Sequence, residues 1–270
     1  MNSVQPRPVH SRDNTLRVPA LDPSLPYSSR LSARSALFTE LHILLDRQSV
    51  ALSSGDYRAL VIQENVLSRP TTSARTKLWK ELKARYRLSA AEPLFAAFWD
   101  EWRRSASDPE RALTTYVLLA LNDRLVFDLG VEFLFPLLRW PDAELRVADV
   151  YAFIERAKAT RAEVRGWSAK THLAVAQKYL ASIRDFGLAK GTARKTTVRP
   201  ALYGSPVRLL ISALRLNGAT PVEILSSSGF RLLALHSTGV IDALGELNRV
   251  NALRFRMQGD VVELDLLEGQ

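Results

Sequence analysis

From about Ser29 to Trp140, apolar residues recur three and four positions apart, and nowhere in that stretch do they alternate singly. A spacing near 3.6 places such residues on one face of an α-helix, whereas a half-buried strand needs a period of two. The first half of the chain therefore cannot be a β-sandwich or barrel, and a bundle of five or six helices is expected. Leu37, Leu41, Leu44, Leu45 and Leu52 form the first stripe. Helices are then expected over 56–67, 72–88, 91–104, 109–122 and 123–140, the last kinked or divided by Gly130 and Pro136. Apolar residues make up 47% of the 270, enough for a sizeable core, so wholesale disorder is excluded. The chain has no cysteine, which excludes disulfides, thiolate metal sites and cysteine nucleophiles and fits a reducing cytoplasm.

From Pro141 the pattern changes. Val147, Val150, Tyr151 and Ile154 mark a helix over 146–158, followed by a polar, basic turn over 159–167. Ser168 is a suitable N-cap for a long helix over 169–185, and Gly187 suits the left-handed stop after it. A turn at Gly191-Thr192-Ala193-Arg194 and the β-branched run Thr196-Thr197-Val198 predict a two-stranded ribbon. Helix, turn, helix and ribbon in this order read as a winged helix. The remainder predicts helices over 207–216, from Pro221 and over 238–250, then a hairpin over 253–267 turning at Gly259-Asp260.

The expected fold class is thus mainly α. A flexible arm over 1–28, holding five of the thirteen prolines, precedes a helical bundle over 29–140 with a possible helix-turn-helix at 56–88. A winged-helix-like domain over 141–203 follows, then a small C-terminal helical domain with a β-hairpin over 204–270. The most apolar stretch, 117–140, is broken by Asn122, Asp123, Arg124, Asp128 and Glu132, so no membrane span is expected. Residues 1–28 lack an apolar core segment, so no secretory leader is expected either.

Charge is segregated. The chain carries 37 Lys and Arg against 28 Asp and Glu, a net +9. Eleven basic residues lie between Arg156 and Arg199 with only Glu163 and Asp185 against them, a surplus equal to that of the whole chain. A second cluster, Arg69 to Arg87, sets seven basic residues against Glu81, so the rest of the chain is net acidic. Such concentration points to an anionic partner more strongly than the total does. On a helical wheel of 169–185, Leu173, Ala176, Tyr179, Leu180 and Ile183 fall on one side. Lys170, Thr171, Ala174, Lys178 and Ala181 fall opposite, with Gln177 at the edge. Small residues permit close approach, lysines hold phosphates, and Thr and Gln reach base edges in a major groove. A solvated outer face would give the same wheel. The candidate DNA contacts are Arg161, Arg165, Lys170, Thr171, Gln177, Lys178, Lys190, Arg194, Lys195 and Arg199. Arg69, Arg75, Lys77, Lys80 and Lys83 join them from the second cluster, which could equally be the solvated corner of a bundle.

Several short runs resemble a known family. Glu64-Asn65-Val66-Leu67, Arg69-Pro70 and Thr72-Ser73-Ala74-Arg75 are similar to the early signature of BrxA, a small subunit of BREX bacteriophage-exclusion systems. Leu119-Ala120 with Arg124-Leu125-Val126-Phe127-Asp128-Leu129 resembles its middle helix. Trp167-Ser168 with Thr171, and Ile183-Arg184-Asp185-Phe186-Gly187-Leu188, resemble its later signature. The resemblance spans about 29–202. It implies a mainly helical, non-enzymatic protein that binds double-stranded DNA in phage defence. It also implies partner subunits, including a methyltransferase and an ATPase, and supplies no catalytic residues.

Enzyme readings find little support. His10, His42, His172 and His236 lack zinc-ligand spacing, and His172 falls on the inner side of its helix as a packed residue would. There is no phosphate loop with Lys-Ser/Thr and no G-x-S-x-G elbow. The acids of Pro141-Asp142-Ala143-Glu144 suit a helix start, and Glu263 with Asp265 suits an exposed strand face. No cofactor, metal or catalytic residue is expected. The reading is a cytoplasmic double-stranded DNA-binding subunit working mainly through phosphate contacts. A protein–protein assembly scaffold, a transcriptional regulator and an RNA binder are the alternatives.

Overall fold

The computed structural model describes residues 18–259 and 261–267; residues 1–17 of the expected arm and Asp260 of the expected hairpin turn lie outside the described residues. The fold is mainly α with small antiparallel strand pairs. Helices α1 (Phe38–Asp46), α2 (Ser54–Ile62), α3 (Thr72–Tyr86), α4 (Pro93–Arg104) and α5 (Asp108–Asn122) form the bundle. Ser53, Thr71 and Ser107 cap α2, α3 and α5 by accepting backbone N–H bonds. The expected helix over 56–67 stops at Ile62 because Asn65 and Ser68 both take left-handed backbone, with Pro70 just beyond.

The segment over 123–140 divides as its Gly and Pro suggest. Helix α6 (Arg124–Asp128) passes into a π-helical turn (Leu129–Leu134) and then α7 (Phe135–Leu137). The wide turn carries Gly130 against two neighbours. A Cβ there would sit 2.3 Å from Tyr116 Oη and 2.5 Å from Leu232 Cδ2, so only glycine fits.

The next unit runs β1 (Glu144–Leu145), α8 (Val147–Ala157), α9 (Ala162–Arg165), α10 (Ala169–Asp185), β2 (Ala189–Lys190) and β3 (Lys195–Thr197). The expected two-stranded ribbon is a three-stranded antiparallel sheet in the order β1-β3-β2, because Glu144 and Leu145 pair with Thr196 and Lys195. The acids at 142–144 therefore precede and enter a strand instead of opening a helix.

Helices α11 (Gly204–Leu216), α12 (Pro221–Leu225) and α13 (Ser237–Arg249) complete the helical set, with a 3₁₀ segment over Ser228–Leu233. The hairpin β4 (Arg254–Gln258) and β5 (Val261–Asp265) follows in the register Gln258↔Val261, with Gly259 left-handed at its turn. Glu263 and Asp265 each face an arginine, Arg256 at 3.9 Å and Arg215 at 3.8 Å.

Two arrangements differ from expectation. Residues 18–28, read as part of a flexible arm, form a strap packed on the body: Val18, Ala20 and Tyr27 are buried, and a 3₁₀ turn spans Pro19–Leu21. Helix α11, expected to open the C-terminal domain, packs along α4 and α5. The buried apolar residues form one cluster that reaches from Val18 to Leu264. Among the described residues no helix is long and apolar enough to cross a membrane.

A buried ion pair fastens α11 to α4. Arg208 donates from Nη2 to Glu101 Oε2 at 2.6 Å and from Nε to the same oxygen at 2.9 Å, and it also reaches the Ala252 carbonyl at 3.2 Å. Removing Arg208 leaves the buried Glu101 carboxylate with only the half-exposed Arg104, 3.1 Å away, to balance it. The substitution Arg208→Ala should lower unfolding free energy by roughly 3 kcal/mol, read as a lower urea midpoint with unchanged slope.

Candidate nucleic-acid interface

The long helix α10 is positioned by its buried side. Ser168 Oγ accepts the Thr171 N–H at 3.1 Å and starts the helix. His172, Val175, Ala176, Tyr179, Leu180 and Ile183 are buried against α8 and the bundle. Ser182 Oγ accepts the Ala36 N–H at 2.9 Å, so the segment before α1 is tied to the same side. His172 packs between Tyr151 and Trp167 and contacts Glu155 through Nδ1. Glu155 also binds Lys158 at 2.6 Å, and the hydrogen bond from Lys158 first, with that to His172, holds its carboxyl below the usual range.

What remains outside is a stripe along α10. Lys170, Leu173 and Gln177 are exposed, with Ala174, Lys178 and Ala181 half-buried beside them. Leu173 was expected to face the core. It is 44% exposed because α8 and the segment Arg30–Ser32 cover the side of the helix centred on His172, Tyr179 and Ile183, and Leu173 lies just beyond that arc. Gln177, expected at the edge, lies near the middle of the stripe. Thr171 is half-buried, with its hydroxyl 3.0 Å from Ser168 Oγ in the cap.

The β2–β3 ribbon carries the next cations. Gly191 makes its turn possible, since it is left-handed and a Cβ there would lie 2.0 Å from the Arg194 carbonyl. Lys190 Nζ lies 2.7 Å from Asp142 and holds that carboxyl below the usual range. Arg194 is 3.5 Å from Glu144, whose carboxyl is held low chiefly by its hydrogen bond to Arg146. Lys195 donates to the Thr192 carbonyl at 2.7 Å, and Arg199 is exposed. Exposed pairs of this kind are worth at most about 1 kcal/mol and exchange readily for phosphate. Trp140, missed as a site residue, is 69% exposed beside the ribbon, where its carbonyl accepts the Thr197 hydroxyl at 3.0 Å.

Other sequence-derived candidates are engaged internally. Arg161 donates to the Pro23 carbonyl at 2.9 Å and lies over the Tyr27 ring at 4.5 Å. It stands 3.6 Å from Asp128, which accepts the Tyr27 hydroxyl at 2.7 Å. Arg161 is therefore a clamp on the strap. Arg165 is exposed, but its Nε caps the end of α8 through the Lys158 carbonyl at 2.9 Å. Arg69 pairs with Glu40 at 2.7 Å, and Arg75 donates to the Ile62 carbonyl at 2.8 Å; both brace the α2–α3 connection. Their planar, multi-donor heads suit carbonyls and carboxylates, which sequence counts of positive charge do not register. Lys77, Lys80 and Lys83 are exposed on α3. Lys80 and Lys83 line a cleft between α2, α3 and the strap.

At the junction of α5 and α6, Asp123 caps α6 by accepting the Leu125 and Val126 N–H groups at 3.0 and 3.2 Å. Burial pushes its carboxyl up to about 6, against the pull of those N–H groups and of Arg30 and Arg85. An unfolded aspartate titrates near about 3.9. The folded state thus takes up this proton first as pH falls from about 6 towards 4, and this group's contribution to stability rises across that window. Asparagine caps equally well without titrating. Asp123→Asn should therefore be more stable than the parent above pH 6, on the order of 1 kcal/mol because the residue keeps some exposure. That advantage should fade near pH 4 in paired urea titrations.

The Arg161 clamp gives a second expectation. Arg161→Ala should destabilise the fold by about 2 kcal/mol, the scale of hydrogen bonds from a charged group. It should also open the strap to proteolysis around Pro23–Tyr27 while leaving DNA affinity unchanged.

A family model described as BrxA matches residues 25–213. The matched span takes in the last part of the strap, the whole β1–β3 unit and most of α11. No curated protein matches the chain.

Proposed function

The chain belongs to the BrxA family, and from that premise we propose that it is a cytoplasmic, non-enzymatic subunit that binds double-stranded DNA in BREX phage defence. The observation that carries this reading is the exposed stripe of α10 flanked by the cationic ribbon. The order β1, three helices, β2, β3 with sheet order β1-β3-β2 suits a winged helix in which α10 enters the major groove and the ribbon meets the backbone.

In this mode Lys170 and Lys178 reach phosphates from the two edges of α10, while Lys190, Arg194 and Lys195 exchange their exposed partners for phosphates. Ala174 and Ala181 allow close approach, and Leu173 offers an apolar contact for a thymine methyl. Gln177 is the one side chain near the centre of the stripe suited to reading a base, through the adenine edge. Most of the affinity is then electrostatic and sequence preference is weak.

A second reading is favoured by a separate observation. Val222, Ile241, Val250, Met257 and Val261 are exposed apolar residues beyond the family-matched span. They suit docking of a partner subunit of the defence system, such as its methyltransferase or ATPase, and this role is compatible with DNA binding on α10.

Fluorescence anisotropy with a short duplex across a salt series tests the first reading. Neutralising about four phosphates gives a log–log slope near −3.6. Joint replacement of Lys170, Lys178, Arg194 and Lys195 by Glu should abolish binding with the circular dichroism unchanged. A flat salt response, or DNA binding indifferent to these four changes, would refute it. Loss of partner co-purification on joint replacement of Val222, Ile241 and Val250 by Asp, with negligible DNA affinity in the parent, would favour the scaffold.

A further inference from the structure

A large cleft lies apart from the α10 stripe. It lies between α2, α3, the strap and the α5–α6 junction and has a volume of about 1100 Å³. Its walls follow from helical spacing: Ser54, Arg58 and Ile62 are four apart on α2, and Thr76, Lys80 and Lys83 share one face of α3, with Arg87 at its C-cap. The strap, held down by Arg161 and Tyr27, closes the third side.

Its chemistry is two-sided. Arg30, Arg58, Lys80 and Lys83 are exposed cations on this one concavity, and none has an ion-pair partner among the described residues. Arg87 and Arg124, which also line it, are paired, with Glu92 at 3.2 Å and Asp128 at 2.5 Å. Glu92 and Asp123 also line the cleft, Glu92 held by Arg87 and Asp123 by the N–H groups of α6, and the six lining cations outnumber them; concave, low-dielectric walls focus the field of that surplus, which an anion would relieve. Between the cations the apolar lining is Ile62 with Leu25 and Pro26 of the strap, while Trp79 and Leu88 lie buried behind it. A simple anion would leave that apolar surface unused. A duplex presents its phosphates on a convex surface and would meet only the rim. The volume is instead on the scale of a small-molecule site, which typically spans about 300–1,000 Å³.

We infer that this cleft binds a nucleoside polyphosphate, with the phosphates among Arg30, Arg58, Lys80 and Lys83 and the nucleoside against Ile62, Leu25 and Pro26. The same chemistry could be supplied by a free nucleotide or by the end of a single strand, and the free nucleotide is the ligand to which the size and enclosure point. The inference does not depend on duplex binding at α10.

Isothermal titration calorimetry on the full chain at low salt tests it, with ATP, tripolyphosphate, adenosine and a thymidine hexamer as probes. ATP should bind with one-to-one stoichiometry, at least tenfold more tightly than tripolyphosphate, and adenosine should give no measurable heat. The double variant Arg58→Glu, Lys83→Glu should weaken ATP at least tenfold while duplex binding through α10 persists, and the four-residue α10 and ribbon variant should keep ATP binding. Both side chains of the double variant are exposed and unpaired, and Arg30→Glu provides an independent change on the opposite wall. A hexamer that binds more tightly than ATP and is displaced by it would support the same nucleoside-phosphate site, with a strand end as the source. Absence of ATP binding at millimolar concentration would overturn the inference. So would tripolyphosphate binding as tightly as ATP, or ATP affinity unaffected by both variants.

Discussion

Helix α5 is buried at every position from Ala112 to Leu121. A helix apolar on all sides cannot lie on a surface, so other elements must cover each of its faces. Helices α3, α4 and α11, the 3₁₀ turn of the strap and α6 supply that cover. This one requirement explains why chain segments far apart in sequence meet. The strap must return to the body, and α11 must leave its own hairpin-bearing segment and join the bundle. Thr114 and Thr115 on this helix satisfy their hydroxyls against the Glu110 and Arg111 carbonyls at 2.7 and 2.8 Å, so polar side chains cost little in the interior.

Around this centre, the runs that resemble the BrxA signatures act largely as joints. Asn65 turns the chain with left-handed backbone and accepts the Arg69 N–H at 2.7 Å. Arg124 bonds Asp128 and reaches the Ala20 carbonyl at 2.8 Å, which holds the start of the strap. Trp167 packs on His172, and Phe186 packs on both Phe38 and Tyr116. These side chains set where α10 and α3 sit relative to the bundle. The exposed stripe of α10 lies mostly between the two halves of the later signature, and the cationic ribbon lies just after it. A signature match therefore carries the scaffold further than it carries the binding face.

Helices were legible where local signals and burial agree. The caps at Ser53, Thr71, Ser107 and Ser168 and the stop at Gly187 lie within a few residues of the ends read from sequence. What was hidden depended on distant partners. Glu144 and Leu145 are two residues of strand with no periodicity of their own, and only pairing with β3 makes them one. The strap looked like an arm because its prolines break every pattern. Its order comes from Arg161, Asp128 and Glu163, more than a hundred residues away. Leu173 was misplaced because a wheel finds an apolar arc but not the direction from which the bundle covers it. The cleft was invisible for the same reason: Arg30, Arg58 and Lys83 belong to three separate segments.

The division of labour between the two basic residue types shows why charge counts alone overstate a binding face. In the Arg69–Arg87 cluster every arginine is engaged: Arg69 with Glu40, Arg75 with a carbonyl, Arg85 buried against Glu81 and two carbonyls of the segment before α1, and Arg87 with Glu92. The three lysines there have no ion-pair partner among the described residues, and the same holds for Lys170 and Lys178 on α10. A guanidinium can satisfy several acceptors in one plane and is weakly hydrated, so folding uses it to tie loops down. An ammonium is a compact, strongly hydrated charge that loses more on burial, so it stays outside and available. In this chain the positive surplus in sequence is thus two populations, one spent on cohesion and one left at the surface. The lysine population, with Arg30, Arg58 and the ribbon cations, supplies the surface charge at the two places proposed above for an anion.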